Sequence, residues 1–163
     1  MTTSSFLPAF ALLALLASVG SAEAEGGQIL PPIDHAATLD ACAACHMAYP
    51  PQMLPARSWQ KIMGNLADHF GEDASLAESV RADILAYLTT HAADASGTGQ
   101  GPHFLRGLSA DAVPLRITQM PFWTRAHGEL AASDFSASGV KSPANCVACH
   151  HTATKGEFGE PED

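Results

Sequence analysis

All four cysteines of this chain occur in two copies of one pattern, C-A-A-C-H at 42–46 within DACAACHMAYP and C-V-A-C-H at 146–150 within NCVACHHTA. Positions three and four apart on a helical turn face the same way, so each copy offers two thiols and an imidazole from one short segment. That set suits thioether bonds from both sulfurs to the vinyl groups of one haem, with the histidine on its iron, and C-x-x-C-H is the attachment signature of c-type haem. Two covalently attached haems follow. Cys42 and Cys45 hold one, Cys146 and Cys149 the other, with His46 and His150 as proximal ligands. Disulfides, zinc knuckles or a redox dithiol would also use paired cysteines, but none explains a histidine directly after both pairs.

The chain's start does not read as mature protein. FLPAFALLALLASV at 6–19 is too short to span a bilayer, and SAEA after it has the small-x-small pattern of a signal-peptidase site. Residues 1–24 are therefore expected to be a cleaved leader, with Ala24 as the last residue removed and Ala22 as the alternative. No Lys or Arg precedes the apolar run, which leaves an uncleaved anchor as the competing reading. Export places the mature chain in the periplasm. The formal net charge is −9, with eight Lys and Arg scattered along the sequence, which argues against nucleic-acid binding and fits steering toward a basic partner.

The expected architecture is mainly α, with one haem domain over 25–98 and a second over 99–163, divided at the linker ASGTGQG. A short helix from about Thr38 is expected to carry the first motif and to stop at YPPQMLP, read as a rigid turn. Apolar spacing predicts a helix from Pro55 with Trp59, Ile62, Met63 and Leu66 on one face, and His69 continues that stripe. Ser75 and Glu78 have capping-box spacing before a second stripe of Val80, Ile84 and Leu88. In the second half, PFWTRAHGEL suggests a short helix from Pro121, and Ser142 with Pro143 suggests a helix start before the second motif. Large apolar residues are few between 102 and 163, so porphyrin has to supply part of the core. The acidic end EFGEPED reads as frayed.

The candidates for a second axial ligand are His35, His69, His91, His103, His127 and His151, with Met47, Met53, Met63 and Met120. Met47 and His151 directly follow proximal ligands and are poorly placed to reach the opposite haem face. His103 lies beside the linker and is expected to be solvated. His69 and His91 continue helical stripes, where a histidine is either a core residue or a ligand, and His91 also suits a helix C-terminus. His127 has Met120 as its main rival. Two histidines would leave no open coordination position and favour outer-sphere electron transfer, whereas methionine would raise the potential. Arg57 and Arg116 are candidates to pair with haem propionates, and Trp59 and Trp123 read as haem-packing or core residues.

CAACHMAYPPQMLPARSW, LADHFGEDASL, RIT followed by PFWTRAH, and SPANCVACH closely resemble the small dihaem cytochromes c of purple and other proteobacteria, the family that includes the Rhodobacter dihaem cytochrome c. The resemblance covers most of residues 40–158. It implies an N-terminal domain similar to a class I cytochrome c, a smaller and less regular C-terminal haem domain, and two bis-histidine haems. At matching positions it makes His69 and His127 the distal ligands, paired by chain order as His46 with His69 and His150 with His127. It also implies redox partners, an oxygen-binding monohaem cytochrome c (the sphaeroides haem protein) and a membrane-embedded cytochrome b. The expected function is an exported dihaem electron carrier with no substrate turnover of its own. A haem enzyme or gas sensor with one open iron is the alternative.

Overall fold

The computed structural model describes Met1 and residues 28–95 and 101–159. The expected leader beyond Met1, and the expected boundary at 98/99, lie outside these residues. Among the described residues the chain is mainly helical, as expected: β1 (Gln28–Ile29), α1 (Ala36–Cys42), α2 (Ala56–Met63), α3 (Glu78–Thr90), α4 (Gly101–Leu105), α5 (Pro121–Ala126), α6 (Ala132–Ser136) and β2 (Glu157–Phe158), with 3-10 turns between. None of these helices is long and apolar enough to cross a membrane.

In the first half, α2 packs on α3 and α1 on α3. The α3 stripe is realised at Ile84 and Leu88, both buried, whereas Val80 is exposed. These residues meet Trp59 and Met63 of α2 in the core, and the buried Trp59 indole donates to the Pro51 carbonyl at 2.8 Å, so its one polar atom is satisfied. Burying each such side chain stabilises the fold by roughly 1.5–3 kcal/mol.

Two features of the expected helices differ. The stripe does not run on to His69: α2 stops at Gly64, Leu66 lies in a separate 3-10 turn (Leu66–Asp68), and His69 follows that turn. A glycine costs about 1 kcal/mol in a helix interior, enough to end a helix of two turns. The capping box does not form either. The Ser75 amide donates to the Asp73 carboxylate at 2.9 Å, and α3 starts only at Glu78, with Ala77 at its N-cap. Glu78 then bonds Arg81 on the exposed surface.

The second half is built from short pieces. α4 begins at Gly101, inside the segment expected to be a linker, and His103 is half-buried beside Phe104 and Phe122 rather than solvated. Phe104 and Phe122 meet edge to face with centroids 4.5 Å apart. With the fully buried Met120 they join the same core cluster as Leu54, Trp59 and Ile84. α5 forms as expected, with Pro121 first and His127 at its C-cap. The helix expected before the second motif is only a 3-10 turn, Cys146–Ala148, and the Ser142 hydroxyl instead accepts from the Ala144 amide at 3.1 Å. So short a helix needs an apolar face to pack, and the small residues here provide little.

The two ends of the described chain meet. β1 pairs antiparallel with β2, Gln28 opposite Phe158 and Ile29 opposite Glu157, and the Leu30 amide donates to the Gly156 carbonyl at 2.8 Å. The segment expected to fray is therefore tied down as far as Gly159. Gly156 has φ +85°, and a Cβ there would run into the Leu30 carbonyl oxygen. Gly156→Ala is expected to cost about 2 kcal/mol or more, read as a lowered denaturation midpoint, because both the backbone angle and the contact oppose it.

Candidate functional site

α1 closes directly after Cys42, so the first motif straddles a helix end, and Cys45 and His46 lie in the turn that follows. The expected helix through all three residues is thus shorter than anticipated. The His46 Nδ1 lies 2.7 Å from the Met47 carbonyl oxygen. A carbonyl only accepts, so Nδ1 carries the proton and the Nε2 lone pair is left free for a metal. The motif's first thiol, Cys42, is pushed up by burial, as is Cys146 in the second copy. No two of the four cysteines are joined in a disulfide.

His69 is presented by a tight turn. Its amide donates to the Glu72 carbonyl at 2.7 Å and the Glu72 amide returns a bond at 3.3 Å, with Phe70 (φ 59°) and Gly71 (φ 99°) between. Positive φ at both central residues is costly for phenylalanine. The Arg116 guanidinium lies 3.9 Å from the centre of the Phe70 ring and covers it. Gln119 holds Arg116 in place by accepting from the Leu115 and Arg116 amides. Burial, and then the neighbouring His46 and Arg116, lower the His69 pKa, which keeps its ring neutral and able to bind a metal.

In the second motif, His150 donates from Nδ1 to the Gly159 carbonyl at 2.9 Å. His127 does the same to the Trp123 carbonyl, also at 2.9 Å, and its ring stacks on that indole with centroids 4.5 Å apart. Each of these bonds leaves Nε2 free.

The histidines stand in two facing pairs. The centroids of His46 and His69 are 6.2 Å apart with planes at 23°, and those of His127 and His150 are 6.1 Å apart with planes at 90°. Imidazoles on opposite sides of one first-row metal ion, each bonded at about 2.0–2.1 Å, have ring centres about 6 Å apart. The donor sets and spacings fit iron between each pair. Among the described residues no group of three or more His, Cys, Asp and Glu side chains is placed to chelate a bare ion, as a structural zinc would require.

A cavity of about 1080 Å³ opens between the first pair, lined by Cys42, His46, Leu54, Trp59, His69 and Leu88, and it runs on to Trp123, Asn145, Cys146 and Val147 of the second half. Of the other candidate ligands only Met47 and Met63 line it. Met120 is enclosed in the apolar core, and the exposed His91 bonds the Tyr87 carbonyl through Nδ1. His35 bonds Thr38 and Asp83 and stacks on Tyr87. Of the two arginines, Arg116 lines the cavity, whereas Arg57 is engaged elsewhere, donating to Ala112 and Ser109 carbonyls and to Asp94. Trp59 and Trp123 line the cavity as expected of packing residues.

Tyr49 was not singled out in the sequence, where its segment YPPQMLPARSW reads as a rigid turn or as a wrap around one haem edge. Its ring stacks on His46, with centroids 4.9 Å apart, and its hydroxyl donates to the Ala144 carbonyl at 2.7 Å. Burial, with Cys146 nearby, pushes its pKa up to about 12, so the hydroxyl stays a donor.

A family model described as dihaem cytochrome c matches residues 38–158. Among solved structures, a diheme cytochrome c from Rhodobacter sphaeroides aligns with a TM-score of 0.72 at 44% identity, over 78% of this chain and 99% of that one. A crystal structure of DHC purified from Rhodobacter sphaeroides gives 0.65 at 41% identity, over 78% and 99%. The X-ray structure of a diheme cytochrome type c from Shewanella baltica gives 0.60 at 33% identity, over 78% and 97%. No curated protein matches the chain.

Proposed function

The chain belongs to the dihaem cytochrome c family, and from that premise we propose that it is an exported, periplasmic electron carrier whose two covalently attached haems each sit between two histidines. Cys42 and Cys45 bind one haem between His46 and His69, and Cys146 and Cys149 bind the other between His150 and His127. One observation carries the reading: each C-x-x-C-H histidine faces a second histidine at the span of a bis-imidazole metal ion. The haems supply reversible one-electron iron chemistry. The chain contributes orientation, through the carbonyls behind His46, His127 and His150, and an apolar enclosure that limits access of water. It has no turnover of its own.

On the same reading, residues 25–98 form a haem domain resembling a class I cytochrome c and 99–163 a smaller one, behind a leader removed after Ala24. The partners that fit are redox proteins, an oxygen-binding monohaem cytochrome c and a membrane cytochrome b.

The haem-loaded protein is expected to show only low-spin c-type absorption, unchanged by carbon monoxide. Electron paramagnetic resonance should resolve two inequivalent low-spin irons, since one pair of rings is nearly parallel and the other perpendicular. A high-spin signal from either iron in the native protein would overturn the assignment.

One observation favours the second reading, a ligand-binding iron. Among the described residues no hydrogen bond is made to the His69 ring, whereas the other three histidines each have a carbonyl behind them. If one iron opens, it is that of His46 and His69.

A further inference from the structure

The two attachment segments face one cavity, and one side chain joins them. Tyr49 lies three residues after His46, stacks on its ring at 4.9 Å and 22°, and reaches across 95 positions of sequence to bond the Ala144 carbonyl. That carbonyl is two residues before Cys146, one of the cysteines of the second motif. Among the described residues, the remaining hydrogen bonds of 142–146 stay within 137–150, as in Ala144 to Ser142, Asn145 to Val140 and Ala148 to Asn145. The Tyr49 hydroxyl is therefore the polar tie between the first motif and the second.

We propose that Tyr49 is a positioning residue for electron transfer between the two haems, its ring seated on His46 and its hydroxyl fixing the distance and orientation of the Cys146 segment. The proposal rests on the dihaem reading above and deepens it. In the step it serves, one electron leaves the ferrous iron at one motif and reduces the ferric iron at the other. The first becomes ferric and the second ferrous. No proton moves, and Tyr49 remains a neutral phenol throughout.

A buried tyrosine needs some acceptor for its hydroxyl, and a purely structural tie would affect only stability. The positioning role makes a different demand. Without the hydroxyl, the 142–146 segment keeps only bonds to itself and is free to shift against the first motif. Outer-sphere electron transfer weakens as the gap between the two centres widens, so a segment free to shift changes the rate.

The test uses haem-loaded wild type, Tyr49→Phe and, as a control, Tyr87→Phe, whose ring lies against His35 and His91 and does not line the cavity. Rapid reduction followed by absorption gives the rate at which the electron redistributes between haems. A potentiometric titration gives the gap between the two midpoint potentials, and paramagnetic resonance reports the magnetic interaction of the irons. Tyr49→Phe should keep both low-spin signals, redistribute the electron severalfold more slowly and alter the magnetic interaction, while Tyr87→Phe matches wild type on both readouts. A Tyr49→Phe protein that differs from wild type only in its melting temperature overturns the proposal and leaves the dihaem reading standing. A wild type without two low-spin irons overturns that reading instead.

Discussion

A Cys42→Ala/Cys45→Ala variant should carry one haem and lose far more stability than a Cys146→Ala/Cys149→Ala variant, with its melting transition broadened. The cause is where the first slot lies. Leu54, Trp59, Met63, Leu66, Ile84 and Leu88 are all buried, and all of them also line the cavity between His46 and His69. With one face on α2 and α3 and the other on that cavity, they need something apolar to close against. Removing the group that fills the cavity exposes these side chains, at roughly 1.5–3 kcal/mol for each one that loses its burial. A domain of this size has about 5–15 kcal/mol in total. The second motif has no comparable wall: the second half's buried Phe104, Met120, Phe122 and Ala153 do not line that cavity. Intact mass gives the haem count and a thermal melt gives the stability, and equal losses from the two double variants would contradict the expectation.

The same asymmetry accounts for how much was legible in the sequence. The motifs were readable because thioether chemistry fixes residue type and spacing within five positions, and α5 was readable because Pro121 and the run to His127 are local signals. His69 was singled out from a stripe that the fold breaks at Gly64, and a turn rather than that helix carries it. What brings it opposite His46 is the turn through Phe70 and Gly71, whose left-handed angles a phenylalanine does not advertise. Tyr49, Arg57 and the tail at 156–159 act through contacts across dozens of residues, and no local pattern encodes a carbonyl at Ala144 or Ala112, or an amide at Leu30, as the partner. The helix expected at Ser142 failed for the converse reason, since good start signals do not suffice without a face to bury.

On the ligation proposed above, His127 and His69 should differ sharply in how firmly they hold iron. His127 is braced twice, by the bond from Nδ1 to Trp123 and by the indole stacked at 4.5 Å. His69 has neither brace: its ring makes no hydrogen bond among the described residues, and it sits on a turn whose next residue, Phe70, adopts a strained φ of 59°. A carbonyl or carboxylate behind a ligating imidazole is worth about 10–100-fold in metal affinity. Cyanide added to the oxidised wild type should therefore displace His69 before His127, at concentrations lower by about that factor. His69→Ala and His127→Ala supply the reference spectra, because each opens one iron completely and should bind carbon monoxide when reduced, unlike the wild type. If the first cyanide adduct carries the signature of the His127→Ala iron, the missing bond behind His69 is not what sets ligand strength. If it carries that of His69→Ala, the haem at the first motif is the one that exchanges ligands, and the strained Phe70 turn with Arg116 over it is the element that governs how readily it does so.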